Sequence, residues 1–160
     1  MSLISKTPLP LHSHLWANVQ SGDFIDGYAV DSDLSPRAAA DLGLALPRWA
    51  QALLTLRNRI VAPLGLKTEV SDKGADAIFP VVHEDANELI LGTDDSHLNF
   101  RICVMQQEGR IHMATWVHRN NLLGRLYLLA VMPFHVLIVH DSMRRIARHS
   151  APIASAPRGQ

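Results

Sequence analysis

The sequence predicts an α+β domain: a first strand, two short helices, an antiparallel meander and one long carboxy-terminal helix. Three observations predict it. Apolar residues recur at helical spacing between Ser35 and Ile60, at a spacing of two between Leu66 and His118, and almost without break from Leu122 to Ile146. At 160 residues the chain suits one domain, and that size buries a core without disulfide or metal staples.

Residues 1–20 read as an extended amino-terminal arm, residues 21–148 as the single domain and residues 149–160 as a flexible tail rich in Pro, Ser and Ala. Asp23 to Val30 reads as the first strand, with Phe24, Tyr28 and Val30 carrying its bulk. Ser35-Pro36 has the order of an N-cap followed by proline at the first helical position, and that short helix ends near Gly43. A second helix starts at Pro47, with Trp49, Leu53, Leu56 and Ile60 on one face, and ends at Pro63 and Gly65.

Candidate strands follow at Leu66–Ser71, Ala77–His83, Glu88–Thr93, His97–Gln106 and Arg110–His118. The polar links between them are too short for anything but antiparallel neighbours. With Glu108-Gly109 as a two-residue turn, Val104 faces Met113, Ile102 faces Thr115 and Phe100 faces Val117. The opposite face then carries Asn99, Arg101 and Cys103 across from His118, Trp116 and Ala114. A slip of one residue would mix the two faces, which a half-buried sheet resists. The first face reads as core and the second as polar and solvated.

The last helix decides the architecture. Its apolar run, Leu126 to Val139, covers 14 residues and is interrupted by His135. A span needs about 20, so the run reads as a buried helix and no membrane span is expected. Pro133 removes one backbone bond and is expected to kink the helix, so that it wraps a curved sheet.

Composition excludes several classes. Lys plus Arg and Asp plus Glu number 15 each, for a net charge of +0, so nucleic acid is not an expected partner. One cysteine, Cys103, leaves no internal disulfide and no CxxC motif, and a reducing cytoplasm is the expected compartment. Nine histidines invite a metal search, but no HExxH or Cys/His spacing exists, so no metal and no cofactor are expected. Neither GxSxG, a P-loop nor GxGxxG is present. The acids fall overwhelmingly in turns and helix starts, with Glu69 and Glu88 assigned to strands, so no interior carboxylate is expected.

This element order is that of the helix-grip fold, a curved antiparallel sheet wrapped around a long carboxy-terminal helix. Pro47-Arg48-Trp49, Leu64-Gly65-Leu66, Phe79-Pro80-Val81, the segment from Leu91 to Arg101, Gly124-Arg125-Leu126-Tyr127 and Met132-Pro133-Phe134-His135 resemble domain-of-unknown-function family 2867 (DUF2867). The family is similar to the SRPBCC superfamily of START, polyketide-cyclase and birch-allergen (Bet v 1-like) proteins. The resemblance implies an apolar ligand, lipid- or polyketide-like, held between helix and sheet. Some relatives join the domain to an epimerase-like, NAD-binding domain that this chain lacks. No catalytic residues carry over.

On this reading the ligand cavity is lined by Phe79, Val81, Phe100, Ile102, Met113, Thr115, Tyr127, Val131 and Phe134, with His135 as polar anchor. An enzyme of the cyclase, dehydratase or isomerase type would use His135 or Tyr127 as acid or base. A third reading is an interaction module, partnering an epimerase-like protein or forming a homodimer through a face of His97, Arg101, Trp116 and His118, with Arg101 stacked on Trp116. Asp94, Asp95 and His97 have the chemistry of an acid–base or metal set, but Asp residues at that position more simply cap turn amides.

Overall fold

The computed structural model describes residues 3–45, 47–64 and 79–150. Among them, six strands form one antiparallel sheet: β1 (Ser5–Lys6), β2 (Phe24–Asp31), β3 (Val81–Glu84), β4 (Glu88–Asp94), β5 (Leu98–Gln107) and β6 (Arg110–Arg119). Their order is β1-β2-β6-β5-β4-β3, so β5 and β6 are the central pair. Helices α1 (Pro36–Gly43), α2 (Arg48–Val61) and α3 (Leu122–His149) complete the fold. The expected strand at Leu66–Ser71 and the first part of Ala77–His83 lie outside the described residues, as does the tail beyond Ser150.

Local chemistry explains the boundaries. The Ser35 hydroxyl accepts from the Ala38 amide and caps α1, with Pro36 as its first residue. Asn121 caps α3 through a bond from the Gly124 amide. Glu108 and Gly109 both have positive φ, the backbone of the tight hairpin turn, and they set the β5–β6 register as the sequence predicts: Val104 opposite Met113, Ile102 opposite Thr115, Phe100 opposite Val117.

The inward face of the sheet carries the main core. Val30, Leu89, Leu91, Val104, Ile111 and Met113 pack with Ala39 and Ala40 of α1 and with Val139, Met143 and Ile146 of α3. Ser142 donates to the Gly43 carbonyl, which locks the end of α3 onto α1. A smaller cluster of Leu98, Val117 and Leu128 holds the start of α3.

Two expectations are corrected, and one is sharpened. The outward face is not solvated, because residues of the arm lie across it. Leu9 and Leu15 are buried there with Ile90, Cys103, Met105, Ala114 and Trp116. The arm adds β1 to the sheet edge and a 3-10 turn at His14–Asn18, whose N-cap is Ser13. Its larger apolar residues after the first (Leu3, Ile4, Leu9, Leu11, Leu15, Trp16, Val19) have no helical or strand period, so nothing in their spacing announces a packed face.

Secondly, α3 is not buried all round. It is 28 residues long, and only 17% of its most apolar window is covered. Leu122, Leu126, Leu129, Phe134 and Leu137 are exposed. By length and composition it is the one helix among the described residues able to cross a membrane, but a core helix passes the same test, and α3 commits its far end to the core. On α2, the shared apolar face read from the spacing is not a buried one: Trp49, Leu56 and Ile60 are exposed and Ala50 is buried. Period locates an apolar stripe but not the partner it meets.

Candidate functional site

Among the described residues, the inward face is less tightly enclosed in its middle than at its two ends. Phe100 and Ile102 of β5 and Thr115 of β6 point to the helical side from the two central strands, yet all three are only partly buried. Val104 and Met113, one pair further along the same ladder, are fully enclosed. α3 packs chiefly on β2 and β6, and α1 on β4 and β5. Between them lies a band of partly buried side chains, called the trough below.

Its lining is apolar and aromatic. Phe79 packs edge-on against Phe100, with ring centroids 4.9 Å apart. Tyr127, Val131 and Met132 of α3 and Phe24 of β2, all half-buried, pack with Phe100 against Leu98, Val117 and Leu128.

One end of the trough holds an acid–histidine pair. His135 Nε2 lies 2.7 Å from Asp26 Oδ2, with the histidine side chain 19% exposed and the carboxylate 8%. Asp26 faces inward because it alternates with Phe24, Tyr28 and Val30 along β2, opposite Thr115. Its other oxygen accepts from the Thr115 amide at 3.1 Å, which fixes the carboxylate in place. Phe24 meets the His135 ring edge-on at 6.0 Å. Beside the pair, burial pushes the Tyr28 hydroxyl upward in pKa, and the charge of Asp26 adds to this.

Such an arrangement orients an imidazole. A carboxylate bonded to Nε2 leaves Nδ1 to meet a ligand or a proton. Asp26 went unnoticed in the sequence although it lies within the segment read as the first strand. Alternation with Phe24 and Tyr28 is the signal that finds it.

The other end holds His97, Tyr127 and Arg57. Arg57 Nε donates to the Tyr127 hydroxyl at 2.9 Å, and its guanidinium sits 5.4 Å from that ring. His97 packs edge-on to Tyr127 at 5.0 Å. The imidazole is buried, and neither ring nitrogen has a hydrogen-bond partner among the described residues; Asp95 Oδ2 is 3.7 Å away. Burial lowers the His97 pKa, and Arg57 lowers it further against the opposing charge of Asp95.

Of the residues expected to line a cavity, Phe79, Phe100, Ile102, Thr115, Tyr127, Val131 and His135 are partly buried. Met113 belongs to the closed core, while Val81 and Phe134 are exposed. The expected interaction face divides. His97 turns inward to α3. Trp116 is 4% exposed beneath the arm, with Arg101 5.8 Å from its ring as the sequence predicts. His118 pairs with Asp23 at 2.6 Å, and Asp23 also accepts from the Trp116 indole at 2.8 Å and the Gln20 amide. Burial raises the Asp23 pKa, but these hydrogen bonds outweigh it and hold the carboxyl below its usual range. Asp94, Asp95 and His97 make the expected turn: Asp95 accepts from the Ser96 amide and Asp94 pairs with Arg101.

The family described as "Protein of unknown function (DUF2867)" matches residues 19–142. The chain belongs to this family. The match takes in the trough, both of its polar ends and most of α3, and it leaves out the arm that covers the outward face of the DUF2867 domain. No curated protein and no solved structure matches the chain.

Proposed function

We propose that this DUF2867 domain binds a small, largely apolar molecule carrying one hydrogen-bonding group. The molecule lies in the trough beside α3, and its polar group meets His135. One observation carries this reading: inward side chains on the two central strands, Phe100, Ile102 and Thr115, are only partly buried. Apolar surface of that kind is costly to leave in water, at about 25 cal/mol per Å2, and it is regained when a ligand covers it. The element order supports a helix-grip likeness, in which the space between helix and sheet is where ligands sit.

Native mass spectrometry of freshly purified protein tests the reading. A bound mass that is extracted by solvent and lost in Ile102→Trp, which fills the trough, is the expected result. A bare chain, together with a thermal midpoint unmoved by fatty acids or aromatic polyketides, would overturn it.

A second reading has its own observation. Asp26 fixes the orientation of His135, as a general base requires, so the same trough suits a cyclase, dehydratase or isomerase. If the molecule recovered by extraction is turned over by the parent and not by His135→Gln, while both bind it, catalysis is the function. Binding without turnover leaves the first reading in place.

A further inference from the structure

The arm brings a histidine to a second set of polar side chains, on the outward side of the sheet and away from the trough. His14 Nδ1 lies 2.7 Å from Glu88 Oε2, and His83 Nε2 lies 3.0 Å from Asp85 Oδ2. The two imidazole rings are 4.1 Å apart, tilted by 34°. One ligand atom from each of the four side chains falls within 4.8 Å of the others.

We infer that His14, His83, Asp85 and Glu88 form a binding site for a divalent first-row transition ion, of which zinc is the reference case. Ligand atoms around a tetrahedral ion are about 3.4 Å apart at bond lengths of ~2.1 Å, so side-chain rotations of an ångström or so close the set. Two carboxylates balance a divalent charge, and two imidazoles with two oxygens are a ligand set that suits zinc, cobalt or nickel over calcium or magnesium.

The support around the cluster is that of a ligand shell. Each carboxylate gives one oxygen to the protein and turns the other toward the histidines. Glu88 Oε1 accepts from the Ser13 hydroxyl and, at 3.2 Å, from the Cys103 thiol. Glu88 Oε2 also accepts from the His14 amide at 3.1 Å. Asp85 Oδ1 accepts from the Asn87 and Glu88 amides at 2.8 and 2.9 Å. Outer hydrogen bonds of this kind orient metal ligands before the ion arrives.

Access is open. A surface cleft of about 450 Å3, bordered by His12, His14, Asp85, Glu88 and Gln107, leads to the cluster. Glu88 is buried while His14 is exposed, so an ion would bridge a fixed ligand on β4 and a ligand on the arm. Its structural effect would be a clasp holding the arm to the β3–β4 hairpin. A lone pair of histidine–carboxylate hydrogen bonds is the competing explanation, and it requires no ion.

The test titrates the EDTA-treated full chain with Co2+ alone, read by visible absorption, followed by competition with Zn2+. The expected result is one equivalent of Co2+ with d–d bands in the visible, displaced by Zn2+, and a higher thermal midpoint with Zn2+. His14→Ala and His83→Ala should each weaken binding by about tenfold or more, while His149→Ala, at the exposed end of α3, should leave it unchanged. Both cluster histidines have solvent-accessible side chains, and the metal-free thermal midpoints of their variants show whether folding is intact. Absence of Co2+ binding, or binding unchanged in His14→Ala and His83→Ala, would overturn the assignment.

Discussion

Replacing Leu15 by alanine separates a packed arm from a frayed one. Leu15 is 0% exposed and sits among Ile90, Cys103, Met105, Ala114 and Trp116, so truncation removes buried methyl groups and leaves a cavity. Such a change costs about 2–5 kcal/mol, depending on how far the site collapses. The lower half of that range is expected, because Leu15 sits on a short 3-10 turn at the surface, with His14 and Ala17 beside it exposed. For a domain of this size each kcal/mol lowers the thermal midpoint by about 2–4 °C, which gives roughly 4–14 °C. Urea denaturation with EDTA present removes any contribution from a bound ion. Leu11, 87% exposed on the same arm, supplies the internal control, and Leu11→Ala should change stability by less than about 0.5 kcal/mol. If Leu15→Ala costs no more than Leu11→Ala, the arm does not belong to the core.

Three further outcomes follow from the packing. Gly124→Ala should destabilise the protein by about 1–3 kcal/mol, since its Cβ would run into the His97 carbonyl, a backbone atom that cannot swing aside. Helix propensity alone would favour alanine by about 1 kcal/mol, so a stabilised variant in urea melts would show that α3 is not seated there. Burial lowers the pKa of His97 and of His112 from 6.5, and in the latter Arg110 adds to the effect. The unfolded chain therefore takes up protons that the folded chain refuses. Stability from these groups is fully present above about pH 6.5 and falls on acidification below it, by at most ~1.4 kcal/mol per pH unit for each group. Denaturation curves from pH 7 to pH 5 check this, and in His112→Gln the slope should be shallower. Finally, burial raises the pKa of the fully enclosed Cys103 thiol well above its ordinary value, and the charge of Glu88 adds to it. Ellman's reagent should find no reactive thiol in the native protein and one in urea.

The sheet was legible in the sequence wherever turn chemistry and alternation agreed. Glu108-Gly109 fixed the last hairpin, because only a positive-φ pair makes that turn and only one register keeps Val104, Ile102 and Phe100 on a common face. The α1 boundaries followed from Ser35-Pro36. The long helix was located, but its exposed leucines were not, since a helix apolar on every side gives no stripe to orient it. The arm resisted reading for a different reason. Leu15 joins a cluster with Ile90, 75 positions further along the chain, a grouping that tertiary packing alone creates and no local period records. The same holds for His14 with His83 and Glu88. Asp26 is the opposite case. Its inward direction was implicit in the alternation of Phe24, Tyr28 and Val30, and its partner His135 was already singled out on α3.

The most direct test of the trough uses a fluorescent apolar probe, 1-anilinonaphthalene-8-sulfonate, titrated into the parent and two variants. Ile102→Trp fills the trough, and Leu129→Ser removes apolar surface from the solvent side of α3, where Leu129 is 73% exposed. Saturable binding at one site, abolished by Ile102→Trp and unchanged by Leu129→Ser, is the expected result. Loss of binding in Leu129→Ser with none in Ile102→Trp would place the apolar site on the outer face of α3 and contradict a ligand trough between helix and sheet.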